Sequence, residues 1–444
     1  MRRLLARTRL RLRDAAVEAD RAKALAAHVM LELAARGSDP LSHLRAIVRF
    51  LVQTPGHRRA AEMVARATTL AARCAPRLRA GVPSPDAIDR AIIAKRPRGR
   101  EKGALVVKFE SELLTLCLSP SFADIEQMYD IIFIPSWQPF YSVAFFVLLA
   151  IARRPFWLLP SGSGDVELAR RIAGCRPLAL KAASWVHPEI FKPLAQPRDI
   201  DLLMVANYET YKRHWLFFEA LAGLPKTTRA VVAGVSVGAR TKETIEEEAE
   251  LFGVRERVEI LDNVAPHELP RLMARARLFC ALSHREGSYI AVAEALMAGT
   301  PVGMYEHAHV GTRDFVNDET GVLFTRRRSL AAQIREFLPA AARLRPDRWA
   351  RRHISCLVST RHLGDALRSQ AEADGQPWST DLSPLYCQRL SLYYVEPDAE
   401  AEMAATYADF KRRFGLEVRR PAAGEDAASG LSGALTSARS RGEP

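Results

Sequence analysis

The chain has 444 residues, 48% of them hydrophobic and 26% charged, enough for two or three domains that each bury a core. Its net charge of +13 is uneven: residues 1–100 hold 22 Lys plus Arg against 8 Asp plus Glu, a net of +14, which leaves −1 for the other 344. The most apolar run, 143–152, is half of the roughly 20 residues a bilayer span needs, and the Arg-rich start has no apolar core of a signal peptide, so a buried helix and a cytoplasmic chain are expected.

Six cysteines (Cys74, Cys117, Cys175, Cys280, Cys356 and Cys387) are scattered without C-x-x-C spacing. That pattern predicts free thiols in a reducing compartment and no zinc site. The basic start suits an anionic membrane surface or a polyanionic glycan, and suits an Arg-rich solvated helix face equally well. Nucleic acid is disfavoured, because the segment has almost no aromatic residues to stack on bases.

Residues 1–98 read as helical. Leu4, Leu5, Leu10, Leu12 and Val17 open one amphipathic pattern, and 25–35 continue it. Gly37-Ser38-Asp39-Pro40 breaks it and supplies an N-cap for a helix over 41–52; Thr54-Pro55-Gly56 breaks it again before 58–74. A polar hinge, RPRGREKG at 96–103, marks a boundary. Beyond it short apolar strands at 104–109, 131–135, 156–160 and 177–180 alternate with helices near 122–129, 140–152 and 165–173, the pattern of a small parallel α/β domain. A second α/β domain begins with a strand at 200–205, a loop at 207–213 and a helix at 215–221. Strands at 230–233 and 258–261 and helices at 242–252 and 267–274 follow. Helices return after 324 and extend to about 372, and 397–413 is another. The small, polar, aperiodic stretch from Pro421 is expected to be disordered.

The most informative stretch is Ser283 to Thr300, SHREGSYIAVAEALMAGT. An apolar strand, 276–282, runs into a polar turn, a helix with Ile290, Ala293, Leu296 and Met297 at helical spacing, a stop at Gly299 and the next strand from Thr300-Pro301. Glu286 sits in the turn at the carboxyl end of the strand, where open α/β sheets place ligands. The amides of Gly287, Ser288, Tyr289 and Ile290 lie at a helix start, a ready site for phosphate.

Glu286 and Glu294 in E-x7-E spacing, followed by Ala-Gly-Thr-Pro and by Asn317-Asp318-Glu319-Thr320-Gly321, resemble glycosyltransferase family 4. Those are retaining enzymes of the GT-B fold that use nucleotide-sugar donors. The resemblance implies two Rossmann-like doubly wound domains: a small acceptor domain at 99–195, and a donor domain at 196–345. They are preceded by the all-α region 1–98 and followed by helices at 346–420, one of which crosses back, and by a disordered tail at 421–444. The segment 184–193, SWVHPEIFKP, is similar to the family's inter-domain crossing, with Ser184 and His187 where Asn and Asp are usual.

By the same resemblance Glu294 binds the donor ribose, Glu286 contacts the transferred sugar, and Lys212 clamps the pyrophosphate. The family's Arg five positions earlier is Asn207 here, and Arg213 is the substitute cation. Gly234 and Val264 complete the expected donor lining. Asp165, in Ser161-Gly162-Ser163-Gly164-Asp165, is a candidate acceptor contact and equally an N-cap, while Trp137 and Tyr141 are candidates to stack on an acceptor sugar, with buried packing the favoured reading. No metal and no cofactor are expected, and no D-x-D motif occurs. The partners are then a nucleotide diphosphate-sugar and a glycan or lipid-linked acceptor, in surface polysaccharide or glycoconjugate synthesis. A catalytically degenerate scaffold and a nucleotide-sugar epimerase of the same fold are the alternatives.

Overall fold

A computed structural model describes residues 6–12, 27, 30–31, 39–53, 58–80, 85–137, 140, 142–388 and 391–419. The chain forms two compact units, one of residues 19–185 with 356–421, the other of 186–355 with residues from the start of the chain. It therefore passes from one unit to the other at 185/186 and returns at 355/356.

The first unit holds a five-stranded sheet: β1 (Ala91–Lys95), β2 (Gly103–Lys108), β3 (Tyr129–Ile134), β4 (Phe156–Leu158) and β5 (Cys175–Pro177). The strands lie side by side in chain order; β1 is antiparallel to β2 and the rest are parallel. β1 corrects the all-helical reading of 1–98. Ala91-Ile92-Ile93-Ala94 is too short to show a period, and every residue of β1 is buried, so the run serves a strand covered on both faces.

Of the N-terminal helices, α1 (Pro40–Gln53) starts where expected, with the Asp39 carboxylate accepting from the Leu41 and Ser42 amides at 3.2 and 2.9 Å. It packs with α2 (Ala60–Ala80) against the apolar helix Val143–Ile151. The intervening helices are α3 (Glu110–Leu118), α4 (Phe122–Met128), α5 (Val143–Ile151) and α6 (Ser163–Ala169). Among the described residues no helix is long and apolar enough to cross a membrane. The expected tail at 421–444 and most of the pattern over 1–35 lie outside the described residues.

Residues 356–419 complete this unit. The aromatic-rich stretch forms an antiparallel pair, Leu385–Gln388 with Ser391–Tyr394, and Tyr394 donates to the Ile93 carbonyl at 2.7 Å. The last helix sets Phe410 and Phe414 edge-on to Tyr129. A buried ion pair, Lys95 to Glu101 at 2.6 Å, is capped by the Ser379 amide and the Trp378 ring, which ties 378–379 to the sheet.

The second unit holds a six-stranded sheet: β6 (Ile200–Val205), β7 (Ala230–Gly234), β8 (Val258–Asp262), β9 (Ala276–Ala281), β10 (Val302–Tyr305) and β11 (Gly321–Phe324). All pairings are parallel and the order is β11-β10-β9-β6-β7-β8. Its helices are α7 (His214–Ala222), α8 (Lys242–Leu251), α9 (Leu269–Ala274), α10 (Ile290–Met297), α11 (Leu330–Ala341) and α12 (Pro346–His353). The chain winds outward from β6 through β7 and β8, then returns to add β9, β10 and β11 on the other side. The switch falls between β6 and β9, where a doubly wound sheet opens its crevice. From the chain start, Arg7 donates to the Leu251 carbonyl at 2.9 and 2.7 Å and so caps the end of α8.

Candidate functional site

The crevice is bounded by the loop after β6 and the loop after β9. The first is fixed by Tyr208, a wholly buried ring whose amide donates to the Val235 carbonyl at 3.0 Å and whose hydroxyl donates to the Leu261 carbonyl at 3.2 Å. Gly234 makes room for that ring. A Cβ there would lie 2.4 Å from both the Ala206 oxygen and the Tyr208 ring, so only glycine fits. Arg240 donates to the Tyr208 carbonyl at 2.5 Å and pairs with the buried Glu248 at 2.9 Å.

With its stem held, the loop closes in a single 3₁₀ turn, Thr210–Lys212, and Arg213 follows in the left-handed region at φ 62°, ψ 48°. A non-glycine residue there costs about 1 kcal/mol, and such strain gathers at functional sites. Lys212 and Arg213 are 5% and 3% exposed, so they do not merely begin a solvated helix. His214 is next, and burial, helped by Arg240 and Lys212, pushes its imidazole down to about 3, which keeps it neutral and removes it from proton transfer near neutral pH.

The second loop carries Glu286. Arg285–Glu286 pairs in parallel with His309–Val310, and the Gly311 amide donates to the Gly287 carbonyl at 2.7 Å. Helix α10 then begins at Ile290 with no side chain capping its first turn, and ends where Gly299 adopts φ +83°. The Val292 amide donates to the Tyr289 carbonyl at 3.0 Å, and the amides before it in the first turn have no helical carbonyl to reach.

Lys212 and Glu286 meet across the crevice. The Lys212 ammonium donates to Glu286 Oε1 and lies 3.9 Å from the centre of the Tyr289 ring. Tyr289 is the floor of this contact rather than an exposed sugar contact. It is 3% exposed, its hydroxyl donates to the Val205 carbonyl at 2.8 Å, and burial with the nearby Glu286 holds that hydroxyl protonated. Asn207 bonds the hydroxyl of Tyr211, another ring whose pKa is raised by burial and by Glu286.

Buried polar atoms with no hydrogen-bond partner among the described residues gather here: Asn207 Oδ1, Ser283 Oγ, Glu286 Oε2, Ser288 Oγ and Thr312 Oγ1. Each would cost about 1–3 kcal/mol if it stayed unpaired, and their concentration in the loops around one crevice marks a place for a polar ligand. Ser283 and Thr312 are additions to the sequence reading. Thr312 belongs to the segment 311–315 that brackets the Glu286 loop, and no spacing motif connects it to E-x7-E.

Glu294, 8% exposed, faces inward from α10, one to two turns beyond the open amides. Val264 lies past the end of β8, two strands and so about 10 Å from β6.

In the first unit the two candidate acceptor loops touch. Ser161 donates to the Trp137 carbonyl at 2.8 Å, which joins the loop after β3 to the loop after β4. Asp165, in the first turn of α6, has its carboxyl pushed up to about 7 by burial, against the pull of the Gly162 amide and Lys181. Tyr141 lies outside the described residues. All six cysteines are free and buried, and burial raises the thiols of Cys175, Cys280 and Cys356 to about 12, which makes them unreactive. Among the described residues no group of three His, Cys, Asp or Glu gathers to hold a metal ion.

A parallel sheet that reverses its winding between β6 and β9, with helices between its strands, is a Rossmann-like doubly wound domain. Residues 187–351, little more than a third of the chain, match the family described as glycosyl transferases group 1. No curated protein matches the chain in sequence. Among solved structures it is similar to the Anabaena protein HepE in complex with UDP and glucose, at 15% identity and a TM-score of 0.48 over 60% of this chain and 77% of that one. It is also similar to a sucrose-phosphate synthase from Thermosynechococcus elongatus, at 15% identity and TM-score 0.49 over 72% and 81%. The lipopolysaccharide outer core galactosyltransferase WaaB gives 15% identity and TM-score 0.43 over 68% and 80%.

Proposed function

We propose that the chain transfers a sugar from a nucleotide diphosphate-sugar to a glycan or lipid-linked acceptor, with retention of anomeric configuration. The observation that carries this reading is the Lys212–Glu286 pair spanning the switch point, among buried polar atoms that have no partner. In the donor complex the diphosphate lies against the first-turn amides of α10, and Lys212 and Arg213 meet its charge. Glu294, further along α10, accepts from the ribose hydroxyls. Glu286, freed from Lys212 as the phosphates take the ammonium, turns to the sugar hydroxyls.

The bond from the anomeric carbon to the diphosphate oxygen breaks with its electron pair leaving on the β-phosphate. The acceptor oxygen bonds to the same face of that carbon, and its proton passes to the departing phosphate oxygen. Stabilisation of the leaving diphosphate is the main contribution of the protein. Asp165 and Trp137, on the two touching loops of the first unit, are the candidate contacts for the acceptor. The basic start offers an anionic membrane surface a way to bring a lipid-linked acceptor near. Co-sedimentation with anionic vesicles that weakens as salt rises is the expected sign, and its absence removes that part of the proposal.

The substitution of Asn207 for the expected Arg motivates the alternative of a degenerate scaffold. The buried Lys212 and Arg213, together with inward-facing Glu294, favour an enzyme. Transfer and hydrolysis are to be measured across UDP-, GDP- and ADP-sugars, with Glu294→Ala beside wild type. At least one donor should be consumed by wild type and lost in the variant; no stabilisation and no turnover with any donor supports the scaffold instead.

A further inference from the structure

A second cationic site lies at the opposite end of the same sheet. Between the segment leading into β6, the start of β9 and the turn from α11 into α12 there is a cavity of about 530 Å³. Arg198, Arg277, Arg345 and Arg348 line it, with Asp347 as the only acidic side chain. Arg277 is neutralised by Asp201 at 2.7 Å and Arg198 rests on the Gly299 carbonyl at 2.5 Å, which leaves the lining with a surplus of positive charge. Arg198 and Arg345 are close enough to oppose each other: burial and Arg345 together lower the pKa of Arg198. The first turn of α12, from Pro346, opens on this cavity beneath a cap residue, Arg345, whose side chain makes no capping bond. Guanidinium groups gathered around an open space attract an anion, and the first-turn amides of a helix add to that attraction.

We propose that this cavity binds a phosphate-bearing anion, at a site separate from the donor crevice. It lies at the amino-terminal ends of β6 and β9, one strand length or about 20 Å from the carboxyl ends where Lys212 and Glu286 meet. Guanidinium groups match phosphate oxygens in pairs, and the volume suits a phosphorylated small molecule or the headgroup of an anionic lipid. The chemistry is the same for both sources.

The test is titration of the full chain with inorganic pyrophosphate in the Lys212→Ala background, which weakens the donor crevice and isolates the second site. Arg345→Glu with Arg348→Glu, both on exposed side chains, should weaken binding about 100-fold or more, and Arg348→Gln alone about 10-fold. Unchanged affinity in the double charge reversal overturns the proposal. So does a Lys212→Ala chain that binds no pyrophosphate up to about 10 mM. Vesicles of phosphatidylglycerol then separate the sources. Sedimentation of wild type that the Arg345/Arg348 changes abolish supports a lipid headgroup; pyrophosphate binding without sedimentation supports a soluble phosphate ester.

Discussion

Replacing Lys212 by Ala removes one half of a pair that is almost sealed from water. The Lys212 and Glu286 side chains are 6% and 15% exposed. The lost ammonium leaves Glu286 with neither carboxylate oxygen partnered, since Oε2 has none already. Breaking a fully buried pair from one side costs about 3–5 kcal/mol; residual access of water through the crevice puts this one just below that range, at about 2–3 kcal/mol. Glu286→Ala should cost less, about 1–2 kcal/mol, because the Tyr289 ring 3.9 Å away still faces the ammonium. The double variant removes both charges, so its loss should fall short of the sum of the two by about 1–2 kcal/mol. Transfer should behave differently. Lys212→Ala is expected to lose about 10²–10³ in turnover, and the double variant should recover none of it, because the departing diphosphate still lacks its cation. Urea midpoints with matching slopes and initial rates of sugar transfer measure the two effects on the same four proteins. Additive stability losses, or transfer restored in the double variant, would refute the reasoning.

Three further outcomes follow from individual contacts. Tyr289→Phe should lower stability by about 1 kcal/mol through loss of the bond to Val205 and leave the KM for donor unchanged; a raised KM would place the hydroxyl on the sugar after all. Gly234→Ala should cost about 2 kcal/mol or more and weaken donor affinity with it, because the new methyl displaces Tyr208 and the Lys212 loop; a neutral result in both readouts breaks the link drawn between them. Asp165 has a native pKa of about 7 against about 3.9 unfolded, so the native state holds its proton more firmly and stability falls as pH rises from about 4 to 7. Allowing for its partial exposure, Asp165→Asn should gain about 2 kcal/mol on wild type at pH 8 and nothing at pH 4; parallel pH profiles would contradict the shift.

Much of this site is legible in the residues, for physical reasons. The 186–355 unit repeats strand and helix at short, regular intervals with its central strands largely buried, so its order can be read from apolar runs. Asp39 and Gly299 do at helix ends what those residue types do in general. Strand β1 is hidden, because AIIAK is too short to show a period and sits beside helices of similar composition. Tyr289 falls within the motif, yet its side chain turns down into the core, and sequence gives position without direction. Ser283 and Thr312 become visible only as buried oxygens without partners. The acceptor side is obscure for a topological reason. The first sheet follows chain order without reversal, so it has no switch point to single out one pair of loops.

The central claim is that the crevice between β6 and β9 reads a diphosphate. Calorimetric titration with uridine, guanosine and adenosine, each beside its monophosphate and diphosphate, tests this directly on wild type and Lys212→Ala. At least one nucleoside diphosphate should bind wild type about 100-fold more tightly than its nucleoside, and that advantage should collapse in Lys212→Ala. A diphosphate that binds no better than its nucleoside, or one whose affinity is indifferent to Lys212, would contradict the account.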